Sequence, residues 1–230
     1  MKLHHVVDGD GPTLVLLGSL GSTIAMWEPQ LPALRGFRVI RIDLPGHGGS
    51  PVPDRAYEIV EVAESVVELV GEPASYCGLS LGGIVALCIA ANAEIDRLVV
   101  ACTKPSFPPA AQWEARAARV RADGMAAIAD AVLARWFVGD VPPWAREMLL
   151  SSPPEGYARC CEALRDTDLT DDLARIVAPT LVIAGAADPS VTLKEAATVP
   201  GRLVVLEGAA HLASAEQPAA FNDALVGHLA

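Results

Sequence analysis

Ser80 stands in Gly78-Leu79-Ser80-Leu81-Gly82-Gly83, between an apolar segment that reads as a strand and one that reads as a helix. Glycines two places to either side of a serine permit a turn too tight for side chains. Such a turn pushes the hydroxyl out of the sheet and sets it beside the N–H groups of a helix start. That arrangement suits nucleophilic attack on an acyl carbon, with the nearby N–H groups ready for an oxyanion.

A serine hydroxyl needs a base. Of the five histidines, His4 and His5 fall in the first strand-like segment and His228 lies near the chain end. His47, in the glycine-rich stretch Asp43-Leu44-Pro45-Gly46-His47-Gly48-Gly49-Ser50, is read as holding its own loop. His211, in Gly208-Ala209-Ala210-His211-Leu212, follows the last expected strand and is the candidate base. It lies where active sites of parallel sheets gather, at the carboxyl ends of the strands. Asp188, in Gly185-Ala186-Ala187-Asp188-Pro189, follows another strand and is the candidate acid that orients the imidazole. The stretch after the preceding strand, Ala101-Cys102-Thr103-Lys104, offers no carboxylate for that role. The order serine, aspartate, histidine is one known arrangement of such a relay. Two backbone N–H groups are expected to form the oxyanion hole, those of Leu81 and of Leu20 in Gly18-Ser19-Leu20-Gly21-Ser22.

Positioning these residues takes a sheet. Residues 2–7 and 13–17, separated by Asp8-Gly9-Asp10-Gly11-Pro12, are expected to form an opening hairpin. Further strands are expected at residues 37–43, 74–78, 98–101, 180–184 and 203–206. A helix over 57–70 would bury Ile59, Val62, Val66 and Val70, and a second over 81–91 is apolar nearly all round. Strands alternating with helices predict an α/β fold, a mostly parallel central sheet with helices on both faces. Between about residues 103 and 177 the alternation stops. Helix-like segments at 110–121, 125–136, 144–150 and 156–165, broken by proline pairs and Gly124, predict an inserted all-helical lid. The expected division is a core of residues 1–103 and 176–230, with the lid at 104–175.

Composition narrows the partners. With 52% hydrophobic residues and a net charge of −11, the chain is globular and repels nucleic acid and anionic membrane. A small anionic substrate stays admissible, because one well-placed arginine outweighs a distant field at short range. The five cysteines are odd in number and show no metal-ligand spacing, there is no signal-peptide core, and no apolar run spans a bilayer. A cytoplasmic protein is expected; nothing signals an oligomeric state.

Several stretches together resemble the 3-oxoadipate enol-lactonases of the β-ketoadipate pathway, within the α/β-hydrolase superfamily. They are Gly18-Ser19-Leu20-Gly21-Ser22 followed by Met26-Trp27-Glu28-Pro29-Gln30-Leu31; Asp43 through Ser50; Tyr76-Cys77-Gly78-Leu79-Ser80-Leu81-Gly82-Gly83; and Ala210-His211-Leu212-Ala213 with Glu216-Gln217-Pro218. In the lid, Gly124-Met125-Ala126, Arg135-Trp136-Phe137 and Tyr157-Ala158-Arg159-Cys160-Cys161-Glu162-Ala163 resemble that family too. The resemblance implies the α/β-hydrolase fold and hydrolysis of an enol-lactone bearing an acetate arm, without metal or organic cofactor. It also implies a cationic partner for that arm, for which Arg135 beside Trp136 comes first, ahead of Lys104, Arg116 and Arg119. The same serine, histidine and aspartate would equally serve another small lactone or ester, a perhydrolase, or a ligand receptor built on a hydrolase scaffold.

Overall fold

The computed structural model describes residues 1–230. Seven strands form one sheet: β1 (His5–Asp8), β2 (Thr13–Leu17), β3 (Arg38–Ile42), β4 (Ser75–Leu79), β5 (Leu98–Ala101), β6 (Thr180–Gly185) and β7 (Arg202–Leu206). Their order is β1-β3-β2-β4-β5-β6-β7, and every pairing is parallel except β1 with β3. β2, β4 and β5 are buried along their whole length, as central strands of a sheet covered on both faces must be.

The expected hairpin does not form. β3 lies between β1 and β2, pairing antiparallel with the first and parallel with the second. The reason is burial: all of β2 is enclosed and needs a partner on either side, whereas β1 alternates exposed and half-buried residues and suits only an edge. The glycines of the intervening turn serve a different purpose. A Cβ on Gly9 would lie 2.6 Å from the Phe37 carbonyl oxygen, and one on Gly11 2.4 Å from that of Gly36. They let the lead-in to β3 pass beside the turn.

Helix α1 (Ile59–Val70) buries Ile59, Val62, Val66 and Val70, the stripe its spacing predicts. A capping box between Glu58 and Glu61 opens it two residues later than the sequence suggests, and Gly71, at φ 69°, closes it. α2 (Leu81–Asn92) is buried through Ala90, consistent with its all-round apolar face. Four further elements carry no strong sequence periodicity. They are a 3-10 helix at Ile24–Ala33 containing Pro29 and Pro32, two single-turn helices α7 (Leu193–Ala196) and α8 (Ala213–Glu216), and the closing α9 (Pro218–Leu229).

Between β5 and β6 the chain leaves the sheet for α3 (Ala110–Asp123), α4 (Ala126–Trp136), α5 (Pro143–Leu150), α6 (Pro154–Arg165) and a 3-10 turn at Asp172–Arg175. α3 packs along α6. Gly124 and the prolines at 142–143 and 153–154 mark the breaks, with Pro143 and Pro154 entering the first turns of their helices, where the missing N–H is unneeded. The insertion seats on the core through backbone: a Cβ on Gly46 would lie 2.5 Å from the Gly156 Cα.

Candidate active site

The turn from β4 into α2 is built by excluded side chains. A Cβ on Gly78 would meet the Gly82 carbonyl oxygen at 2.1 Å, and one on Gly82 the Leu17 carbonyl oxygen at the same distance. Ser80 occupies the apex at φ 56°, ψ −113°, a conformation costly for a residue with a Cβ and held by its surroundings. Its N–H donates to the Ala101 carbonyl at 2.9 Å, and its own carbonyl accepts from the Thr103 hydroxyl at 2.9 Å.

β6 and the loop after β7 approach by the same device. A Cβ on Gly185 would sit 2.1 Å from the Ala210 carbonyl oxygen, so glycine lets the two segments touch. Their contact brings Asp188 to His211. Oδ2 of Asp188 lies 2.8 Å from His211 Nδ1, while Oδ1 accepts the N–H groups of Ser190 at 2.7 Å and Val191 at 3.2 Å. A carboxylate only accepts, so Nδ1 carries the proton and Nε2 is left as an acceptor. That Nε2 is 2.8 Å from Ser80 Oγ. All three residues are buried, each at 6–7% exposure, which shields the relay from water without sealing it.

Two N–H groups stand uncommitted beside Ser80. Leu81 opens α2, so its N–H has no carbonyl one turn back. In the loop after β2, the N–H of Ser19 points to Met26 Sδ at 3.4 Å and that of Gly21 to His47 Nε2 at 2.9 Å, leaving Leu20 between them without a protein acceptor. The loop is tied to the serine turn by the Gly82 N–H, which donates to the Gly18 carbonyl at 2.9 Å. His47 thus does more than hold its own loop. It is fully buried, donates from Nδ1 to the Pro45 carbonyl at 3.0 Å, and anchors the neighbouring loop through Gly21. Burial pushes its pKa below the usual histidine value and keeps it neutral, as that acceptor role requires. Nothing in the sequence signals this role, because the partner loop lies 26 residues away in the chain.

Above the serine lies a cavity of about 220 Å³, open to solvent on one side and lined in part by Ser80, His211, Trp136, Tyr157, Arg116 and Arg135. Of the four cations named from the sequence, the structure separates two from two. Lys104 reaches the wall but is paired with Glu195 at 2.6 Å, which holds that carboxyl down at about 2. Arg119 is exposed and faces Asp123 across 4.0 Å, away from the cavity. Arg116 and Arg135 both line the cavity, and neither makes an ion pair with a protein carboxylate. Arg116 lies over the Trp113 ring, 4.8 Å from its centroid. Desolvation, and then the charge of Arg116, lower the pKa of Arg135. Two guanidiniums without a carboxylate partner thus face one half-enclosed cavity, and a guanidinium fork matches the geometry of a carboxylate.

The five cysteines are buried and unpaired. Cys102 occupies the strand end where the sequence offered no carboxylate, with φ 48° and its Sγ 3.8 Å from the Ala210 carbonyl oxygen. Cys160 bonds the Tyr57 hydroxyl at 2.9 Å, and burial pushes its thiol up to about 12, so both adjacent cysteines of α6 act as packing groups rather than nucleophiles. No group of three or more histidine, cysteine or acidic side chains is arranged to hold a metal ion, and no helix is long and apolar enough to cross a membrane.

A strand-turn-helix serine, an acid and a histidine on later strand ends, and an insertion roofing them define a class. The chain belongs to the α/β hydrolase family, whose model matches residues 14–224. Within that family it is similar to 3-oxoadipate enol-lactonase 2 of Acinetobacter baylyi, 36% identical over 94% of this chain and 88% of the relative. The enol-lactonase of Burkholderia xenovorans LB400 superposes with a TM-score of 0.95 at 35% identity, covering 99% of this chain and 96% of that one. A hydrolase of Pseudomonas aeruginosa PA01 does so at 0.93 and 41% identity, covering 99% and 94%. The protein is an enzyme that hydrolyses lactone or carboxylic ester bonds.

Proposed function

We propose that this enzyme opens 3-oxoadipate enol-lactone to 3-oxoadipate through an acyl-enzyme on Ser80. The observation that carries this reading is one cavity lined by Ser80 and His211, the latter bonded to Asp188, and by two guanidiniums without a carboxylate partner. Similarity to named enol-lactonases supports the choice of lactone.

Ser80 Oγ attacks the ring carbonyl as its proton passes to His211 Nε2, and Asp188 stabilises the imidazolium that results. The N–H groups of Leu20 and Leu81 receive the negative charge of the tetrahedral intermediate. Collapse breaks the ring C–O bond. The departing enol oxygen takes the proton back from His211 and becomes a ketone by tautomerisation, still tethered to the acyl-enzyme. Water, deprotonated by His211, then attacks the ester carbonyl, and Ser80 Oγ leaves with that proton. Arg135 and Arg116 hold the acetate arm, Trp136 forms an apolar wall against the ring, and residues 104–175 act as the lid. No metal or organic cofactor takes part in this scheme. Five unpaired cysteines support a reducing, cytoplasmic setting.

Steady-state hydrolysis of 3-oxoadipate enol-lactone and of phenyl acetate, by wild type and Ser80→Ala, tests the proposal. Ser80-dependent turnover with kcat/KM for the lactone far above that for the ester is expected. Comparable turnover of both, or of the ester alone, would overturn the choice of substrate. Turnover that survives Ser80→Ala would overturn the mechanism.

A further inference from the structure

The loop carrying His211 is not held by the core alone. The His211 N–H donates to the Arg135 carbonyl at 3.2 Å and the Leu212 N–H to the Trp136 carbonyl at 3.0 Å. These acceptors are the last residues of α4, where helix carbonyls lack partners of their own. Glu216, on the single turn that follows His211, closes the junction. Its Oε2 accepts the Ala210 N–H at 2.6 Å and its Oε1 the Val138 N–H at 2.7 Å. One carboxylate thus grips the residue before His211 and the insertion just beyond α4. Both are charge-assisted bonds, stronger than neutral ones.

We propose that Glu216 is a positioning residue whose carboxylate locks the end of α4 to the His211 loop, so that the imidazole and the Arg135 wall of the cavity keep one fixed geometry. The relay depends on that lock because His211 is attached to the core through a loop, and its Nε2 must stay within hydrogen-bond reach of Ser80. A displacement of about 1 Å in such a group costs on the order of 100-fold in rate. Glu216 touches neither Ser80 nor the cavity, and its effect is exerted through backbone. The inference rests on the catalytic reading of Ser80 and His211, and its test separates the two.

Glu216→Gln preserves size but offers a single acceptor oxygen, and presents N–H where the second acceptor stood. In the folded variant, the amides of Ala210 and Val138 are expected to exchange hydrogen faster, and so are those of His211 and Leu212, which Glu216 does not itself bond. Phenyl acetate hydrolysis should lose about tenfold in kcat with KM little changed. Faster exchange confined to Ala210 and Val138 would overturn the proposal, because Glu216 would then only satisfy two donors. Unchanged kcat would overturn it as well. Ser80→Ala, run alongside, isolates the other reading: if it hydrolyses the ester as fast as wild type, the catalytic assignment fails and the exchange at His211 and Leu212 alone decides the lock.

Discussion

The sheet ends and the helical insertion specify the site by opposite means. At the sheet ends, backbone touches backbone. Gly78, Gly82 and Gly185 each stand where a Cβ would come within 2.1 Å of a carbonyl oxygen, and the relay is fixed by those approaches. In the insertion, side chains decide: Arg116, Arg135 and Trp136 face the cavity from α3 and α4, beside Gln112, Trp113 and Val132. The contrast teaches that the serine, histidine and aspartate are brought together at backbone positions with no room for a Cβ, whereas the cavity wall above them is lined by side chains of the insertion. It also locates where the two meet, at the bonds from the His211 loop to the end of α4.

The largest effect should come from the relay itself. Ser80→Ala is expected to lower kcat/KM by about 10⁴-fold or more on lactone and ester alike, with Tm nearly unchanged, checked by steady-state assays and a thermal melt. Next comes the backbone contact. Gly82→Ala should cost about 3 kcal/mol by overpacking and roughly 10 °C in Tm. If it folds with native stability, the loop after β2 is not braced on the serine turn as described. On the insertion side the expected change is selective. Arg135→Ala and Arg116→Ala should each raise KM for the carboxylate-bearing lactone about tenfold and leave that for phenyl acetate unmoved. An equal loss on both substrates would assign these arginines to structure.

The smallest effect concerns pH. His47 has a folded pKa below its ordinary 6.5 because of burial, so the unfolded chain takes up the proton first as pH falls. The stability it contributes is complete above about 6.5 and is lost as pH drops towards the folded value. Carboxyls held low, such as Glu195 at about 2, titrate well below that window. Wild type should therefore lose a few degrees of Tm between about pH 7 and pH 5.5, and His47→Gln should lose less. Equal losses would mean that His47 is not held neutral by burial.

The relay was legible from Gly78 to Gly83 because its geometry is local: glycine spacing, a strand before and a helix after. Asp188 and His211 were legible because strand ends in a parallel sheet converge. The position of β3 was not, since Asp8 to Pro12 has the composition of a hairpin turn and only burial across the sheet shows that β2 needs partners on both sides. The role of His47 in bracing Gly21, and the pairing of Lys104 with Glu195 while Arg116 and Arg135 line the cavity without a carboxylate partner, rest on contacts between segments far apart in the chain. Residue type names the candidates there, and only the fold selects among them.

The most direct measurement is covalent labelling with a serine-directed phosphonate, followed by peptide mapping and by rate measurements with and without adipate. A single adduct on Ser80 is predicted, formed more slowly when adipate occupies the cavity. That protection should vanish in the Arg116→Ala/Arg135→Ala double variant. An adduct on another residue, or none, would contradict Ser80 as the nucleophile; protection that persists in the double variant would contradict the two arginines as the anion site.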